Sequence, residues 1–115
     1  TEDYTALLLP GGVANPDTLR MNDRAIEIIE EFADDEKLIA AICHAPWLLI
    51  EADVVDGRRM TSWPSLRTDL ANAGADVVDE AVVRDGQFIT SRMPDDIPAF
   101  NAAILEALQE ALEEA

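Results

Sequence analysis

Cys43 and His44 are the chain's one cysteine and one histidine, and they are adjacent. A thiolate is a strong nucleophile and an imidazole titrates near neutral pH, so the pair could attack a carbonyl and move its proton. Five apolar residues, Leu38 to Ile42, precede it, and Ala45-Pro46 follows. A short continuous apolar run suits a strand covered on both faces. Proline suits the first turn of a helix, where a missing N–H costs nothing. Cys43 therefore stands where a strand gives way to a helix. A sharp turn there lifts a nucleophile clear of the sheet, and in open α/β sheets sites gather at the carboxyl ends of strands. Free N–H groups and positive potential at a helix start lower a thiol's pKa. Two plainer readings compete. Cys43 would be a buried structural cysteine, and His44 a helix-start residue bonded to backbone. Neighbours on a regular strand point to opposite faces, so a direct Cys43–His44 pair requires a bend.

The elements that would place the pair follow from pattern. Tyr4 to Leu9 is a second apolar run, a buried strand that ends in Pro10-Gly11-Gly12. Gly11 and Gly12 would let backbone approach closely and aim N–H groups at developing negative charge, or would simply make a turn. Asn22 is a helix N-cap before the stripe Ala25, Ile26, Ile28, Ile29 and Phe32. Arg59 to Trp63 reads as a short strand, and Ser65 as the cap of a helix over Leu66 to Ala73 closed by Gly74. Ala75 to Val78 is extended. Ala81–Arg84 and Gln87–Thr90 flank Asp85-Gly86, a two-residue hairpin signal. Ile97, Phe100, Ile104, Leu105, Leu108 and Leu112 keep a helical period, with Asp95 and Asp96 at its start. Alternating strands and helices predict an α/β domain with a mainly parallel sheet and one antiparallel hairpin.

Composition narrows the function. The 115 residues suit one domain, 1–115. There are 24 acids against 8 bases, a formal charge of −16. That excludes nucleic-acid binding through a basic face and attraction to an anionic membrane surface. No run approaches the roughly 20 apolar residues of a spanning helix. One cysteine excludes an internal disulfide framework and a thiolate zinc site. A cytoplasmic protein without metal or organic cofactor is the expectation.

Taken together, LLLPGG (Leu7–Gly12), PDTLR (Pro16–Arg20), AAICHAPWLL (Ala40–Leu49), TSWP (Thr61–Pro64), DLANAGA (Asp69–Ala75), VVRDG (Val82–Gly86) and TSRMP (Thr90–Pro94) resemble the PfpI intracellular-protease branch of the ThiJ/PfpI family. The likeness runs from about Tyr4 to Leu108. It implies a flavodoxin-like three-layer sandwich, with Cys43 as the reactive cysteine and His44 beside it. It implies backbone donors from Gly11, Gly12 and His44 for an oxyanion. It places Asp17 where family members carry an acid that reaches the Cys–His pair of a neighbouring subunit, and Trp63 where they carry an aromatic near the site. Asp17 also reads as a helix-start acid, and Trp63 as core packing. Complete members carry roughly 60 more residues before the Pro-Gly-Gly strand, including a Glu that tunes the cysteine. Glu2 and Asp3 stand too close to that strand to replace it. The chain resembles the C-terminal two-thirds of such a domain, and on its own it would expose an apolar sheet edge.

The activity implied is that of a cysteine-dependent hydrolase acting on peptides, amides or 2-oxoaldehyde protein adducts, in a homo-oligomer (dimer or hexamer). A redox-sensing thiol without turnover and an inactive structural module are the alternatives. The excess of acids and the single lysine, Lys37, match a cytoplasm of multimolar salt, as in haloarchaea. Withdrawing salt is expected to unfold the chain. Far-UV circular dichroism across a salt titration checks this, and a spectrum unchanged down to low salt would contradict it.

Overall fold

Both apolar runs become strands of one sheet. The computed structural model describes residues 4–12 and 14–114; Glu2 and Asp3 lie outside them. Strand β1 (Ala6–Leu9) pairs in parallel with β2 (Leu38–Ile42). Strand β2 pairs in parallel with β6 (Phe88–Ser91), and β6 pairs antiparallel with β5 (Val82–Asp85), giving the order β1-β2-β6-β5.

Alternation along β2 divides the core into two layers. Ile39 and Ala41 face one side, where Leu9 and Phe88 join Ile29 and Phe32 of α2 (Asp23–Asp34) and Leu48 and Leu49 of α3 (Pro46–Glu51). Ala40 and Ile42 face the other, where Ile89 meets Phe100 and Ala107 of α5 (Ile97–Glu114). Helices thus cover both faces of a mainly parallel sheet. Strand β1 stands at one end of the described sheet, and Leu8, level with Ala40 on the α5 side, is 57% exposed. Among the described residues no helix is long and apolar enough to cross a membrane.

Local signals mostly act as read. The Asn22 side chain accepts the Ala25 N–H at 3.0 Å and starts α2. Gly74 adopts φ +99° after α4 (Arg67–Asn72), and a Cβ there would strike the Asp56 carboxylate. Ser65 is a correction. It lies inside a 3-10 turn over Pro64–Leu66, and α4 begins at Arg67 with no side-chain cap. The hairpin is offset by one residue. Asp85 pairs with Phe88, so Gly86-Gln87 is the loop, with Gly86 at φ +59°. Asp85 stays in β5, where its carboxylate accepts the Arg59 N–H at 2.8 Å.

Strand β3 (Arg59–Met60) is shorter than read and pairs in parallel only with β4 (Asp76–Val77). Side chains explain this. The Arg59 and Thr61 amides go to the Asp85 carboxylate and the Thr90 hydroxyl, so the ribbon is tied to the main sheet without joining its backbone ladder. Short α1 (Ala14–Leu19) leads from the Gly11-Gly12 turn toward α2 and packs against α3.

Candidate active site

Cys43 directly follows β2 and has φ +62°, a left-handed backbone that L-residues avoid. Holding a non-glycine residue there costs about 1–3 kcal/mol, so the surroundings must enforce it. Two backbone bonds do so. The Cys43 N–H donates to the Ser91 carbonyl at 3.1 Å, and the Cys43 carbonyl accepts the Trp63 N–H at 2.9 Å. The bend that a Cys43–His44 site requires is therefore present.

The Gly11-Gly12 turn closes over this elbow. A Cβ on Gly11 would lie 2.8 Å from Cys43 Cβ and 2.9 Å from its Sγ, so only glycine fits. Gly12, at φ +93°, donates its N–H to Cys43. Both expected backbone contributors thus sit at the cysteine. The His44 amide makes no backbone hydrogen bond among the described residues.

The acidity differs from the sequence expectation. Cys43 is buried, and burial pushes its thiol pKa up; the Gly12 N–H pulls it down, and the nearby Asp96 charge adds to the rise. The expected pull of the helix start is missing for a local reason. The Ala45, Trp47 and Leu48 amides are taken by the carbonyls of Ile42, His44 and Ala45, and Pro46 has no N–H. The free donors of the α3 start are thus mostly spent within the turn.

His44 is buried between the chain's two tryptophans. Its ring lies 5.0 Å from Trp47, tilted, and 5.5 Å from Trp63, stacked. Burial lowers its pKa, favouring neutral imidazole. Trp63 is 37% exposed. No hydrogen bond joins His44 to Cys43 among the described residues. Burial thus acts against the charged form of both side chains, raising the Cys43 pKa and lowering that of His44.

Asp17 does not touch the pair within its own chain. Its carboxylate binds Arg20 at 2.6 Å, and the Arg20 guanidinium lies 4.7 Å over the Trp47 ring. Asp17, Arg20, Trp47 and His44 thus form a stack that runs from the surface to the site. Asp69 also holds Trp47, accepting its indole N–H at 3.1 Å. Sequence reasoning missed Arg20, Trp47 and Asp69 because no motif spacing links positions so far apart. Among the described residues, no group of three or more His, Cys, Asp or Glu could hold a metal ion. A concavity of about 500 Å³ opens at the far end of the sheet by Leu38, Arg58 and Arg84. It contains no nucleophile, so chemistry rather than concavity locates the site.

Residues 1–107 match the DJ-1/PfpI family model. The chain belongs to the DJ-1/PfpI family. General stress protein 18 of Bacillus subtilis is 52% identical over 110 residues, covering 95% of this chain and 63% of that protein. Protein/nucleic acid deglycase 2 of Escherichia coli is 47% identical, over 92% of this chain and 62% of its own. A second Bacillus subtilis protein, named as a candidate cysteine protease, is 45% identical over 93% of this chain and 63% of its own. The chain thus spans less than two-thirds of these relatives' length. A two-domain protein of Anabaena variabilis with a DJ-1/ThiJ/PfpI-like domain superposes with TM-score 0.91 at 42% identity, over 94% of this chain and 31% of that one. The DJ-1/PfpI fold is the α/β sandwich expected from the motifs.

Gly11→Ala tests the tight contact at the elbow. It is expected to destabilise the protein by about 1–3 kcal/mol through overpacking, seen as a Tm several degrees lower. An unchanged Tm would show that Cys43 can give way.

Proposed function

We propose that this chain carries the nucleophilic centre of a cysteine-dependent hydrolase that acts at carbonyl carbons. The supporting observation is the strained Cys43 elbow with Gly12 N–H on the cysteine and a neutral imidazole next in sequence. In this reading His44 takes the Cys43 proton as the sulfur attacks. A neutral base suits that role, because an imidazolium has no lone pair to accept a proton. The sulfur–carbon bond forms as the carbonyl π pair moves onto oxygen. The Gly12 and His44 N–H groups hold that oxyanion. The oxyanion then collapses, the leaving amine takes the proton back from His44, and water releases the acyl group from sulfur.

The substrates proposed are peptides or amides and 2-oxoaldehyde adducts of proteins. The deglycase and candidate-protease names of the relatives are consistent with both. A homo-oligomer is proposed with them, Asp17 serving a neighbouring copy's site after exchanging its Arg20 partner. One observation favours a second reading. A buried thiol of raised pKa is also the state of a structural cysteine, which would make the chain an interaction module with a silent site. A redox-sensing thiol fits less well, since oxidation favours the exposed thiolate.

Hydrolysis of a peptide and of a methylglyoxal-modified peptide, in high salt, tests these readings. Cys43→Ser is expected to lose at least about 100-fold with its fold retained, and His44→Ala about 10²- to 10⁴-fold. Turnover unchanged in Cys43→Ser overturns the hydrolase reading. No turnover in the parent protein supports the silent module.

A further inference from the structure

A second charged cluster sits just beyond the cysteine, on the chain segment that holds the elbow in place. Arg92 comes directly after Ser91, whose carbonyl accepts the Cys43 N–H. Both the backbone and the side chain of Arg92 bind one carboxylate. Asp96 Oδ2 accepts the Arg92 backbone N–H at 3.1 Å and its Nε–H at 2.9 Å, while Oδ1 accepts from the guanidinium at 3.0 Å. Asp96 is 5% exposed and the Arg92 side chain 25%, so this is a part-buried fork-to-fork pair, the geometry in which Arg–carboxylate contacts are most directional. The remaining arm of Arg92 binds Asp79 at 2.9 Å, and Asp79 also binds Arg67 at 2.8 Å.

Two features connect this cluster to Cys43. The Ser91 side chain is buried and its hydroxyl has no partner among the described residues, so it does not anchor Ser91. Beyond the strand ladder, the bonds of the next residue do. Asp96 also ends the turn that starts α5, and Phe100 in the first turns of α5 lies in the same apolar cluster as Cys43 and Ile42. We propose that Asp96 is a positioning residue for Cys43: by clamping Arg92 it fixes the Ser91 carbonyl that keeps the cysteine in its left-handed conformation. The inference rests on Cys43 being the nucleophile, but its test needs no substrate.

The test is amide hydrogen exchange, followed residue by residue by NMR in high salt, on the protein and its Asp96→Asn variant. The Cys43 amide is expected to exchange at least about tenfold faster in the variant. The Ile39 amide, bonded to the Gln87 carbonyl at 2.8 Å near the start of the same strand, is expected to keep its rate. Equal acceleration at both positions would mean general loosening and overturns the proposal, as does no acceleration at Cys43. Arg92→Lys keeps the cation but loses the fork, and carries the same test should Asp96→Asn not fold. There too, acceleration confined to Cys43 supports the clamp and its absence overturns it. The midpoint of Cys43 alkylation against pH is a second readout. It should fall in Asp96→Asn, because the carboxylate charge no longer opposes the thiolate, and an unchanged midpoint counts against the proposal. A selective exchange effect in a protein without turnover would refute the proposed reaction and leave the clamp standing.

Discussion

Cys43 can hold a left-handed backbone only because its N–H and C=O are both committed to partners outside its own strand. The rest of the site depends on that constraint. The N–H goes to Ser91 at the end of β6, so the cysteine's place depends on the β2–β6 pairing and on the Arg92–Asp96 segment beyond β6. The C=O goes to Trp63, which draws the 61–66 segment to the site and sets one indole on His44. The Gly11-Gly12 turn then fills the remaining side at a distance that tolerates no Cβ. Three segments distant in sequence thus converge on one residue, and each is tied to it by backbone rather than by flexible side chains.

Much of this was legible because it depends on local rules. An apolar five-residue run, an adjacent Cys-His and a Pro at the helix start place the elbow. Asn22 and Gly74 perform the capping roles that their side-chain oxygen and missing Cβ suit them for. The errors have physical causes that no local rule contains. Ser65 did not cap because the chain entered α4 through a 3-10 turn. The β3 ribbon stayed out of the main sheet because Asp85 and Thr90 side chains intercepted its amides. The thiol's acidity departs from the sequence expectation because it is the difference between burial and donation. Sequence shows that a helix begins after Cys43, but not that its first amides bond back within the turn. The sequence makes Asp96 a dipole-compensating acid, and its grip on Arg92 exists only in three dimensions.

The charge distribution fits the same picture. Among the described residues six of the seven arginines have carboxylate partners, and Arg58 lies over the Phe88 ring. Most of these pairs are exposed, where such contacts contribute about 0–1 kcal/mol each. Screening them therefore removes little attraction, while the unpaired acids repel one another across the whole surface. Added salt should relieve more repulsion than it costs in pairing. The Arg92–Asp96 pair is the exception. It is part-buried, and it adjoins Ser91, whose carbonyl accepts the Cys43 N–H.

The central claim is that Cys43 rests as a neutral thiol, held at a strained elbow and dependent on a neutral His44 for its proton transfer. The pH dependence of Cys43 alkylation by iodoacetamide, in high salt on the chain of 115 residues, tests it most directly. The account predicts a midpoint above the ordinary cysteine value of about 8.5. A midpoint well below that value would show a thiolate already formed at neutral pH and would contradict it.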